Sequence, residues 1–240
     1  MKKSLKDHQV ERHQGLSRSN IRDFILGFQD GLVNTLGLVL GVATAVQSSK
    51  IVLISGLVTT FAESVSMAAV AYTSTKAAKE FYDSQLEKEK KEIEEIPHME
   101  IQEIRDIYSK KGFRGRQLED IVKKITSNKE LWLETMMTEE LRLFPEDYEK
   151  PAKSAFVVGI SAIIGSLIPV FPFFFFFLGI KSSMITALAL SIIALFVVGS
   201  VKAKITIGSW KKSGLEMAII GTVAALVGYL VGSLLGVVYA

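Results

Sequence analysis

Apolar residues fall into five runs, at about 21–46, 51–75, 155–178, 183–201 and 217–239. Each is long enough to cross the roughly 30 Å hydrocarbon core of a bilayer as a helix. Between the second and third runs the pattern changes, and acids, bases and apolar residues interleave at helical spacing over about 76–153. The pattern predicts an all-α membrane protein: a polar tail over 1–20, transmembrane helices 1 and 2 over 21–75, a helical domain over 76–153 inserted between helices 2 and 3, and transmembrane helices 3–5 over 154–240. The first run exceeds a signal-peptide core and lacks a small-x-small cleavage site, so it is read as retained. In the third, Pro169 and Pro172 precede five consecutive phenylalanines and predict a kink or break.

Charge sharpens this division. The stretch 76–153 holds 16 of the 28 Lys and Arg and 19 of the 25 Asp and Glu. The basic residues outside it mark one side of the membrane. Lys2, Lys3, Lys6, Arg12, Arg18 and Arg22 lie at the first span, and Lys202, Lys204, Lys211 and Lys212 between the fourth and fifth, against Lys50 and Lys181 in the other short loops. The positive-inside rule then expects a disordered cytoplasmic tail, a cytoplasmic inserted domain and a cytoplasmic Lys211 loop, with the chain ends on opposite sides. No organelle-targeting extension is recognisable, so a plasma membrane is expected if the chain is prokaryotic and a vacuolar one if it is eukaryotic. The net charge of +3 is explained by these flanks and calls for no nucleic acid. With no cysteine and three histidines, thiolate zinc sites, iron–sulfur clusters and polyhistidine sites are excluded or disfavoured. There is no nucleophile–base pair and no phosphate-cradling glycine loop, so the chain is not expected to be an enzyme or to use ATP.

Candidate chemistry lies in two places. In the inserted domain, Glu89, Glu92, Glu100 and Glu103 are spaced to share one broad helix face, and Met136 lies one α-helical turn from Glu140 with Met137 beside it. Packed together, these carboxylates and thioethers form a divalent-metal site, the sulfur favouring a transition metal over magnesium or calcium. The competing reading is a solvated face of i,i+4 ion pairs, with the methionines filling a core. Within the apolar runs stand Asp30 and Glu63, each costing roughly 2.5–3.5 kcal/mol at a bilayer centre on insertion scales. Thr59 and Met67 sit one turn either side of Glu63, and the stripe reads as a transport pathway. The alternatives are that Asp30 caps its helix and that Glu63 pairs with a base. Gly27 with Gly31, Gly37 with Gly41, and Gly228, Gly232 and Gly236 form small-xxx-small ridges that permit close helix contact.

Asp30-Gly31-Leu32-Val33, Ser66-Met67-Ala68 and Met136-Met137-Thr138-Glu139-Glu140-Leu141, with Ile168-Pro169 in the third span, resemble the vacuolar iron transporter family over nearly the whole chain. The resemblance implies a homodimer with five transmembrane helices per protomer and a cytoplasmic helical metal-binding domain between helices 2 and 3. It implies export of ferrous iron and related divalent metals from the cytosol in exchange for protons, with no other cofactor. Asp30 and Met67 match the membrane pathway, and Glu89, Glu92, Glu100, Glu103, Met136, Met137 and Glu140 match the cytoplasmic metal ligands. Plant-type members carry a glutamate where this chain has Ala71, and Ala71-Tyr72 looks more like the fungal branch, which adds manganese as a cargo.

Two rivals are weighed beside it. Glu95-Ile96-Pro97-His98 fits the Glu-x-x-His pattern of ferritin-like di-iron proteins, but such a site needs two of these motifs on continuous helices. A membrane-anchored metal sensor or scaffold without transport would have no use for the intramembrane acids.

Overall fold

The computed structural model describes residues 18–145, 150–175, 177, 179–205 and 208–239. Most of the expected tail, residues 1–17, lies outside the described residues, and of Gly236 only its place in the last helix is described. Eight α-helices occur among the described residues: α1 Arg18–Val46, α2 Ser49–Glu95, α3 Pro97–Lys110, α4 Gly115–Thr126, α5 Lys129–Thr135, α6 Pro151–Val170, α7 Ile180–Ile205 and α8 Trp210–Tyr239. Five of them, α1, α2, α6 (with the turn that follows it), α7 and α8, are long and apolar enough to cross a membrane. The chain divides into two compact units, Thr73–Pro151 and the remainder.

In the larger unit, glycine sets how closely helices approach. A methyl group on Gly228 of α8 would overlap the carbonyl oxygen of Gly37 on α1, and Gly232 stands in the same relation to Gly41. Two of the ridges visible in the sequence therefore lock α1 to α8 within one protomer. The third, Gly27 and Gly31, sits against Val158 and Ala162 of α6. Several hydroxyls inside the spans bond back to their own helices, as Thr60 does to the Gly56 carbonyl (2.8 Å) and Thr222 to that of Ala218 (2.9 Å), so these need no water. Phe61, Val65, Ile185 and Leu234 point outward and are more than half exposed, a surface suited to lipid.

One expectation is met here and one is corrected. The third span breaks at its prolines, as expected. With Pro169 in its last turn and Pro172 just beyond, α6 gives way to a 3-10 turn, Phe171–Phe174, because neither proline supplies a backbone N–H. Glu89, Glu92, Glu100 and Glu103 do not share one helix. Ile96, ahead of Pro97, takes φ −131° and ψ 48°, ending α2 and placing Pro97 in the first turn of α3.

The smaller unit has its own core. Leu118, Val122 and Ile125 recur every three to four residues on α4 and pack with Ile93, Ile104, Trp132 and Met136. Asn128 caps α5, its Oδ1 accepting from the Glu130 and Leu131 amides at 2.9 and 3.2 Å.

Candidate metal centre

The break at Pro97 assembles the site. Because Ile93 of α2 and Ile104 of α3 bury into the same core, the carboxylates that precede and follow the break face each other. A third carboxylate arrives from Met136–Glu140, which forms a π turn with the Leu141 amide bonded to the Met136 carbonyl at 3.2 Å. Such turns are rare and concentrate at functional sites. One oxygen each of Glu89, Glu100 and Glu140 lies within 4.8 Å of the other two, a spacing that can hold one metal ion.

Burial and like charge both act on the cluster. Glu89 and Glu100 are 2% and 3% exposed. Burial, followed by repulsion from Glu103 and Glu89, pushes the Glu100 carboxyl up to about 7. Glu140, more exposed, is also pushed up to about 7, by desolvation and then by Glu103, whose carboxyl lies at hydrogen-bonding range. Glu89 shifts upward chiefly through burial, with Glu92 adding to it. Glu92 and Glu103 are half-buried, and Glu92 forms an ion pair with Lys88 at 3.4 Å. All five candidate carboxylates therefore share one electrostatic neighbourhood. Oε2 of Glu89 and Oε2 of Glu100 are buried and have no hydrogen-bond partner among the described residues. Orphaned carboxylate oxygens are costly, and a divalent cation satisfies them.

The methionines separate. Met136 belongs to the apolar core, while Met137, 1% exposed, is buried outside that cluster. Glu95 and His98 are exposed and stand on different helices, which removes the ferritin-like pattern.

In the larger unit, Asp30 lies within α1 and is not a cap. Among the described residues Glu63 pairs with no base; the Asn34 amide donates to its Oε1 at 2.5 Å, and the Asp30 carboxyl adjoins it. Oε2 of Glu63 is buried without a partner among the described residues. Met67 is half-buried one turn further along α2. Sequence reasoning missed Asn34, although it stands one turn from Asp30. It also missed Asp23, 2% exposed, which accepts from Ser154 Oγ at 2.5 Å and from Arg22 at 3.0 Å. Asp23 precedes Asp30 by two turns, and that step was the available signal.

Residues 21–233 match the model of the VIT family. Vacuolar iron transporter 1 of Tulipa gesneriana is 31% identical over 209 residues, covering 87% of this chain and 84% of its own. Vacuolar iron transporter 1 of Oryza sativa subsp. japonica is 31% identical over 222 residues (92% and 87%). The vacuolar iron transporter of Plasmodium falciparum is 29% identical over 239 residues (95% and 88%).

Proposed function

The chain belongs to the VIT family, and from that premise we propose that it exports ferrous iron, with manganese as a second cargo, from the cytosol in exchange for protons. As a family member it is an integral membrane metal-ion transporter and not an enzyme. The observation that carries the finer reading is the convergence of Glu89, Glu100 and Glu140, with two buried oxygens lacking a hydrogen-bond partner among the described residues. A cluster of this kind gains most from a small divalent cation, and Met137 offers a soft donor that biases it toward ferrous iron.

The inserted domain captures metal on the cytosolic side, with Glu92 and Glu103 supplying further charge. Asp30, Glu63 and Met67 form the pathway across the bilayer in each protomer of a homodimer. A carboxylate out of water holds either a proton or a cation, so metal entering at Asp30 and Glu63 expels protons, and protons from the far side expel metal. Lys and Arg placement supports a cytosolic N-terminus, inserted domain and Lys211 loop.

The test is metal flux in sealed proteoliposomes loaded with a pH dye. Ferrous iron movement is expected with opposite proton movement, and Asp30→Asn is expected to lose both while the inserted domain still binds metal. Full-rate flux in Asp30→Asn, or flux without proton movement, overturns the exchange mechanism. Binding without any flux in the wild type would favour a sensor.

A further inference from the structure

We propose that a groove between α1, α7 and α8 is a binding site for one anionic phospholipid, held by Lys181 at its mouth and by an apolar floor along α7 and α8. The mouth, about 290 Å³, is lined by Thr44 and Gln47 at the end of α1, Lys181 at the start of α7, and Tyr229 of α8. The floor, about 190 Å³, is lined by Leu40, Leu188, Ala225 and Leu226. Met184, Ile185 and Tyr229 border both, so the two form one continuous groove, polar at one end and apolar at the other. The step from Lys181 to Leu188 is two helical turns, about 10 Å, which fits the upper part of an acyl chain under its headgroup.

The charge decides the occupant. Lys181 is exposed, no acid lines either part of the groove, and Lys181 has no ion pair among the described residues. A lone lysine beside a chain-sized apolar slot complements a headgroup of net negative charge, and the Tyr229 hydroxyl and the second Gln47 amide proton add donors there, the Thr44 hydroxyl being given to the Leu40 carbonyl. A zwitterionic lipid fits the floor equally well and gains less at the mouth. A second protein helix would leave Lys181 facing an apolar surface.

The full-length protein is purified in detergent, supplied with phosphatidylglycerol or phosphatidylcholine, and retained lipid is counted by native mass spectrometry. Wild type is expected to retain one phosphatidylglycerol in preference to phosphatidylcholine, by about fivefold. Lys181→Gln is expected to abolish the preference and Lys181→Arg to keep it, while Leu226→Trp, which fills the floor without touching the charge, is expected to lower retention of both. Glycerol phosphate at millimolar concentration is expected not to displace the lipid, because it has no chain for the floor. Equal retention of the two lipids by wild type, an undiminished preference in Lys181→Gln, or displacement by glycerol phosphate each overturns the proposal.

Discussion

Burial and like charge push Glu100 and Glu140 up to about 7, and on the metal-capture role proposed above this makes capture depend on pH near neutrality. Protons compete directly with a cation below that value. Affinity of the full-length protein for manganese is therefore expected to fall between pH 8 and pH 6 by on the order of ten- to a hundredfold, read by titration calorimetry. The same shifts act on stability in the opposite sense. A carboxyl whose folded-state value is raised binds protons more tightly folded than unfolded, so its stabilising contribution is complete below about 4.5 and is lost as pH rises through about 7. Without metal, thermal unfolding of the inserted domain should occur at lower temperature at pH 8 than at pH 5, and manganese should reverse this at pH 8. A melting temperature independent of pH across that window would mean the carboxylates stay solvated. Glu100→Gln, Glu103→Gln and Glu140→Gln together should weaken binding strongly and slow transport without abolishing it, whereas Met67→Leu should cost selectivity for iron over harder ions.

At the scale of elements, the π turn is the feature that aims Glu140. Deleting Thr138 would return Met136–Glu140 to α-helical register and swing the carboxylate away from Glu89 and Glu100. Metal affinity is expected to fall as far as in Glu140→Gln, with circular dichroism showing helix content retained. The five spans were legible because apolar length alone specifies them, and the candidate carboxylates because Glu is conspicuous at helical spacing. Their arrangement was less so. A periodicity argument carried one helix face from Glu89 to Glu103, while the proline between them decides otherwise through a missing N–H. The π turn and the Asn34–Glu63 bond depend on how one helix is rotated against another, which tertiary packing sets and a single segment does not encode. The glycine ridges were visible, but only the fold shows that two of them meet each other. Gly228→Ala is expected to destabilise the membrane unit by about 1–3 kcal/mol through overpacking against Gly37, measured by unfolding in mixed micelles.

For the whole molecule, the testable property is sidedness. The sequence contains no cysteine, so single introduced thiols report without background. Ser127→Cys in the inserted domain and Lys211→Cys in the first turn of α8 are expected to react with an impermeant maleimide only from the cytosolic face, and Ser48→Cys between α1 and α2 only from the other. Labelling of Ser127→Cys from outside would reverse the proposed direction of transport.

The glycine contacts between α1 and α8 also constrain how such a protein can move. Where backbone lies on backbone with no side chain between, a shift of one residue drives a Cβ into a carbonyl, so these two helices behave as a single beam. Asp30 rides on that beam, whereas Glu63 belongs to α2 and is tied to it through the Asn34 amide. On the transport mechanism proposed above, opening the acid pair alternately to the two sides requires α2 to roll or tilt against a fixed reference, and the Asn34–Glu63 bond is the latch that such a stroke must release.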